Sequence, residues 1–352
     1  MNPLQDLARS LGERPRPVTL FGAPEGYDAA AIGDIVAEGH VLPWLHVCRD
    51  DGRMDRFAAA LAFIHPELDA LTFPAWDCLP YDRISPNSEI VSRRIDTLTR
   101  LATGGGDTPL VVLTTVNALV QRVPPRSLFE GRVLILRPGG HIGLDRLQSF
   151  FSNNGYIRTA TVREPGEFAV RGGIVDLYPA GAAQPLRLDF FGDTLESVRT
   201  FDPLSQRSSG TAPEAVLRPV SEVLLDDAAI RLFRSRYREQ LGATGPDDPL
   251  YESVSAGRRY VGMEHWLPLY YERLETLFDY LPDAGISFDH QADEVRDHRL
   301  EAVADFYAAR HNVTAAARAG SPIYRPVRPV QLYLDNLEWQ ARLRGRPVVR
   351  LS

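Results

Sequence analysis

Residues 164–193 read EPGEFAVRGGIVDLYPAGAAQPLRLDFFGD. Three short runs, GEFAVRG, GIVDLYP and PLRLDFF, follow one another, separated only by the Gly172 and Gly173 pair and the segment PAGAAQP. Apolar runs of strand length between glycine- and proline-rich punctuation predict closely spaced strands joined by tight turns. In the last run, LRLDFF, alternate side chains point to opposite faces. Leu186, Leu188 and Phe190 share one side, and Arg187, Asp189 and Phe191 share the other. An aromatic on a charged face reads in two ways. It makes a short apolar contact with a neighbouring loop, or it belongs to a protein-binding surface, where arginine and aromatic residues are the usual anchors.

Outward from this stretch, GRVLILRPGG predicts a strand ended by glycines, DRLQSFFSNNG a short helix, and TLESVRTFD a fourth strand, followed by a polar tail, DPLSQRSSGTAPEA. Residues 126–215 are therefore expected to form a compact β-rich domain. The 125 residues before it have a different rhythm. PVTLF and HVLPWLHVC read as buried strands, YDAAAIGDIVAEG and MDRFAAALAFIHP as helices, and PLVVLTT as a central parallel strand. That βαβα alternation predicts a doubly wound α/β sheet. After the loop CLPYDRISPNS, Ser85 and Pro86 are expected to start a helix whose buried stripe is Ile90, Val91, Ile95, Leu98 and Leu101, closed by GGGD. Residues 216–352 read as mainly helical: DDAAIRLFRSRYREQLG with a capping aspartate, the aromatic-rich GMEHWLPLYYERLETLFDYLP, and HQADEVRDHRLEAVADFYAARHN. The last segment, LEWQARLRGRPVVRLS, turns basic and is expected to be a solvated linker or, alternatively, a phosphate-contacting arm.

At 352 residues the chain exceeds one ordinary core. A formal net charge of -7 argues against a broadly basic nucleic-acid surface. No run approaches the roughly 20 apolar residues of a membrane span. The N-terminus lacks a secretory-type apolar run, and Cys48 and Cys78 are too few for a disulfide scaffold. A reducing, cytoplasmic compartment is expected.

A phosphate-binding loop belongs between the first strand and first helix, where the chain reads FGAPEGYD. Against G-x-x-x-x-G-K-[ST], only Gly26 matches. Phe21 replaces the first glycine, Tyr27 the lysine and Asp28 the magnesium-binding hydroxyl. The niche is degenerate, and no nucleotide is expected to bind there. His40, His46 and Cys48 lie close in sequence but mostly in an apolar strand, where a core role outweighs a metal. Asp289, His290, Asp293 and Glu294 suggest metal or helicase chemistry, and a capped, solvated helix start explains them at least as well. Glu264 and His265 have no serine or cysteine at informative spacing. The sequence offers no catalytic residue and no metal or cofactor site.

TFPAWDCLPYDRISPNSEIVSRRIDTLTRL, REPGEFAVRGGIVDLYPAG, PLRLDFFGDTLESVRTFDPLSQRS and GMEHWLPLYY…TLFDYLP together make the chain resemble the N-terminal part of bacterial transcription-repair coupling factor, Mfd. That region is itself similar to the excision-repair protein UvrB. The resemblance implies a helicase-like α/β domain with a degenerate P-loop, built from residues 1–125 and 216–352, with the β-rich domain of 126–215 inserted. It implies that the insert recruits UvrA, and that Arg171, Arg187 and Phe191 match the family's docking residues. It further implies that the full-length protein is an ATP- and magnesium-dependent translocase of double-stranded DNA that displaces stalled RNA polymerase. The C-terminal region would cover the docking face by an intramolecular contact. An active UvrB-type damage-verifying protein would need the P-loop lysine and an aromatic hairpin after CLPYDRISP, and the sequence carries neither.

Overall fold

The computed structural model describes residues 3–13, 17–39, 43–104, 109–242, 248–316 and 324–352. The strands, in chain order, are β1 (Pro17–Leu20), β2 (Trp44–Cys48), β3 (Asp69–Phe73), β4 (Leu110–Thr115), β5 (Leu134–Leu136), β6 (Ile157–Arg158), β7 (Glu167–Arg171), β8 (Ile174–Leu177), β9 (Leu186–Phe191), β10 (Thr194–Phe201), β11 (Ser208–Thr211), β12 (Ala215–Leu217), β13 (Gly285–Phe288) and β14 (Val348–Leu351).

Six of them form a parallel sheet in the order β1-β14-β13-β2-β4-β3. Its strands come from both ends of the described chain, and the strands between them lie in separate sheets. β2, β4 and β14 each feed two cores, because successive side chains point to opposite faces. Leu45, Val47 and Val112 join the core beneath helices Ser88–Thr103, Asp227–Leu241 and Asn336–Leu343. Trp44, Cys48, Val111 and Leu113 join the core beneath helices Tyr27–Ala37 and Asp51–Ile64. Near-continuous apolar runs are what a sheet covered on both faces demands.

A second sheet runs β11-β10-β9-β8-β7-β6, antiparallel except for the β6–β7 pair, with β5 and β12 paired beside it. Its inner face contributes Val175, Leu177, Leu186, Leu188, Phe190, Leu195 and Val198 to a third core, which Leu147 and Phe151 of helix Leu144–Asn153 complete. Two turns at one end of this sheet are two-residue hairpins with glycine first: Gly172 (φ 61) between β7 and β8, and Gly192 (φ 59) between β9 and β10. A positive φ at that position suits the twist of the flanking strands. Gly173 is fixed by space instead, since a Cβ there would lie 2.6 Å from the Phe190 carbonyl oxygen.

Helix Ser88–Thr103 is the seat on which the antiparallel part rests. Ser88 Oγ donates to Glu164 (3.0 Å), the Gly181 amide donates to Ser92 Oγ (2.9 Å), and Arg218 pairs with Asp96 (3.4 Å). Arg94, fully buried, forks onto Glu222, stacks over Phe73 and donates to the Pro74 carbonyl.

Several sequence expectations are corrected. The helix starts at Ser88 with Asn87 as its cap, and Ser85 takes no part. The Ser85 hydroxyl donates to Glu264 (2.7 Å) and accepts from the Gly262 amide (2.9 Å), so a distant segment outcompetes the local cap. PVTLF is not buried: β1 is an edge strand of alternating exposure. The polar tail contains β11, an edge strand with all four residues exposed, held by backbone pairing to β10 and by the Ser209 hydroxyl, which bonds to Thr200 (3.0 Å) and donates to Gln184 (3.2 Å). The basic C-terminal segment is neither a linker nor an arm. It forms helix Asn336–Leu343, anchored by buried Trp339, and β14, inside the parallel sheet. Three of its four arginines are engaged, Arg342 with Asp279 and Glu338, Arg346 with the Leu281 and Phe278 carbonyls, and Arg350 with Asp293, while Arg344 is exposed. Gly105, Gly106 and Asp107 of the GGGD segment lie outside the described residues.

Candidate docking face and a self-occupied nucleotide niche

The outer face of the antiparallel sheet carries the charges and the aromatic together. Phe191 is 78% exposed at the end of β9. The register pairs Ile174 with Asp189, and Phe190 N donates to Gly173 O, which sets Gly172 across from Phe191. Glycine has no side chain to cover the ring, and that is why a phenylalanine on an ordered strand stays open. Ile174, partly exposed, borders it.

Arg187 lies on the same face as Phe191 but is tied into the sheet. Its Nε and Nη2 donate to the two oxygens of Asp176 at 2.7 and 3.0 Å, and its guanidinium lies 5.0 Å from the Phe201 ring centroid. The Asp176 hydrogen bonds raise the Arg187 pKa and keep it charged. Asp176 is 2% exposed and also lies 3.9 Å from Arg171 Nη1. Arg171, at the β7 hairpin tip, has a 54% exposed side chain and donates to the Ala160 carbonyl. Asp189 pairs with Arg199 (2.8 and 2.9 Å) and accepts from Ser197 (2.6 Å). Burial opposes ionisation of Asp189, but these partners outweigh it and hold the carboxyl below its ordinary range. Sequence reasoning missed Asp176, Ile174 and Arg199. Alternation within GIVDLYP and TLESVRTFD puts them on one face only once the pairing register is known.

The second site lies at the C-terminal ends of β1, β2 and β13, where open parallel sheets usually hold ligands. Gly26 (φ 96) precedes helix Tyr27–Ala37, and Phe21 and Tyr27 are exposed. Asp28 is buried and turns back on its own helix start. Its Oδ1 accepts from the amides of Gly26 (2.9 Å) and Ala29 (2.8 Å), while Oδ2 pairs with buried Arg53. Helix N-termini attract anions through such amides. Here the chain's own carboxylate fills that position.

Asp289, expected as part of a solvated helix start, is instead buried within 3.4 Å of Arg53 and 3.6 Å of Arg49. Glu25 takes Arg49 (2.8 Å) and Arg56 (3.3 Å), which lower its pKa. His290 is exposed, Asp293 pairs with Arg296, and Glu294 is exposed. The network sets three cations, Arg49, Arg53 and Arg56, against four carboxylates, Glu25, Asp28, Asp50 and Asp289.

His46 lies in the core, stacked on Phe57 (3.8 Å) and bonded to Ser287 (2.8 Å). Burial lowers its pKa to about 3, which keeps it neutral. His40 lies outside the described residues. The fold brings Cys78 Sγ to 3.8 Å from His265 Nε2, a pairing the sequence spacing concealed. Burial pushes the thiol up to about 12 and the imidazole down to about 4, opposite to what an activated thiolate–imidazolium pair needs. Among the described residues, no group of three or more His, Cys, Asp or Glu side chains is placed to hold a metal ion. No helix among them is long and apolar enough to cross a membrane.

Residues 134–222 match the family model described as the UvrB interaction domain. The chain is also similar to the transcription-repair-coupling factor of Haemophilus influenzae, 32% identical over 92% of the chain and 27% of that protein. It is 33% identical to that of Escherichia coli, over 95% of the chain and 28% of the relative. With that of Myxococcus xanthus the identity is 34%, over 70% of the chain and 22% of the relative. The chain thus spans about a quarter of the length of these curated relatives. The face that carries Phe191 lies wholly inside the matched 134–222 region, and over the stretch it spans this chain belongs to the transcription-repair-coupling factor family.

Proposed function

We propose that the chain is a non-catalytic docking module that recruits UvrA to transcription-blocking lesions in nucleotide excision repair, through the outer face of the antiparallel sheet. The observation that carries this is Phe191, an almost fully exposed aromatic on a central strand, flanked by Arg171 and the Arg187–Asp176 pair. A rigid aromatic beside arginine is the composition of an interface anchor. The fold is read as a helicase-like α/β domain with a degenerate P-loop, divided as residues 1–125 and 216–352, with a UvrA-binding insert near 126–215. In the full-length protein we assign ATP and magnesium to a separate DNA-translocating part that acts on stalled RNA polymerase. The C-terminal region is the natural intramolecular cover of the docking face, and the setting is cytoplasmic.

The niche at FGAPEGYD supports the non-catalytic half of this reading. A nucleotide phosphate would have to displace Asp28 from its two amides and from Arg53, with no lysine to compensate. Titration with magnesium-ATP is expected to give no saturable binding in the micromolar range, and stoichiometric binding at this loop would refute the assignment. Against the DNA-binding alternative stands the engagement of Arg342, Arg346 and Arg350 within the fold. Calorimetric titration of the chain with UvrA tests the docking half, since the proposal requires saturable binding and fails without it.

A further inference from the structure

Building on the docking reading, we infer that Arg187 works from inside the sheet as a positioning residue, and that Arg171 is the cation that meets a carboxylate of the partner. Asp176 is the buried group that holds Arg187 in place.

Three observations carry the division of roles. Both oxygens of Asp176 are already filled by the Arg187 fork. One face of that guanidinium lies over Phe201, and Nη1 points to the Gln206 carbonyl at 3.5 Å, leaving the side chain 17% exposed. To pair with a partner, Arg187 would leave an uncompensated carboxylate at a position 2% exposed, a costly exchange. Arg171 has only the longer 3.9 Å contact with Asp176 and a bond to a loop carbonyl. It also adjoins Gly172, the gap beside the Phe191 ring. The partner surface this geometry fits is an apolar pocket for the ring with a carboxylate on the β7 side.

Arg187 itself contributes by holding Phe201 and the turn that bears Gln206. Gln206 has positive φ (60) and donates to the carbonyls of Val162 and Pro203, which ties the loops bordering the face to the sheet.

The test is a set of UvrA titrations with thermal melts of the same samples. Arg187→Gln leaves Asp176 without its main counter-charge and is expected to weaken docking about tenfold or more, whereas Asp176→Asn with Arg187→Gln keeps a neutral cross-strand hydrogen bond and restores affinity to within about threefold. A folded double variant that binds as poorly as Arg187→Gln overturns the inference, because it shows Arg187 touching the partner. Should Arg187→Gln fail to fold, Arg171→Ser decides: docking about tenfold weaker with a shallower salt dependence is expected, and wild-type affinity overturns it. Phe191→Ala runs alongside. If it binds like the wild type, the docking reading falls and takes this inference with it. If it weakens binding while the double variant stays weak, only the role of Arg187 is wrong.

Discussion

Glu222→Ala is expected to cost about 3 to 5 kcal/mol of folding stability, the usual price of removing one partner from a buried ion pair. Arg94 and Glu222 are both essentially without solvent exposure. Arg94 Nη2 reaches Glu222 Oε2 at 3.2 Å, and the Trp76 indole donates to Oε1 at 3.1 Å. Alanine leaves the Arg94 charge in the core and the indole without an acceptor. The pair also joins helix Ser88–Thr103 to the segment that follows β12, so the loss should loosen the antiparallel part from its seat. Urea unfolding followed by tryptophan fluorescence measures the effect. A loss below about 1 kcal/mol would mean that water or a rearranged side chain replaces the carboxylate, and that the seat rests on the other contacts. Glu222→Gln, which keeps the shape and the Trp76 bond, should cost less.

Phe191→Ala is expected to weaken UvrA binding by about 2 kcal/mol or more, roughly thirtyfold, as truncating an interface anchor does. The same change should move folding stability by no more than about 0.5 kcal/mol, because surface side chains outside special features contribute little. The ring is 78% exposed and belongs to none of the buried clusters. Loss of binding with unchanged stability assigns the ring to the partner. Unchanged binding assigns it to neither and removes the anchor from the account.

Much of the architecture was legible because its signals are local. LRLDFF alternates so cleanly that Leu186, Leu188 and Phe190 fall inside and Phe191 outside without any tertiary knowledge. The glycines at 172 and 173 mark their hairpin for the same reason. The misread elements answer to distant partners. Ser85 has every local quality of a cap, yet Glu264 and the Gly262 amide hold its hydroxyl. VVRL looked like part of a basic tail because the arginines around it dominate the composition, while pairing with β1 and β13 buries Val348 and Val349.

The proposed docking face was half legible. Parity put Arg187 and Phe191 on one side, but only the register reveals that Asp176 sits opposite Arg187 and neutralises it. At FGAPEGYD the missing lysine was reason to doubt nucleotide binding. It could not show that Asp28 turns inward, because Arg53 lies 25 residues away on another helix.

Hydrogen–deuterium exchange of the whole chain, with and without UvrA, tests the central claim most directly. The account predicts added protection at the two hairpin tips and the strand ends beside them, from Arg171 to Ile174 and from Phe191 to Thr194. The crevice that holds Asp28 and Arg53 should be unchanged. Protection confined to that crevice or to residues 336–352, with the hairpin tips untouched, would contradict it.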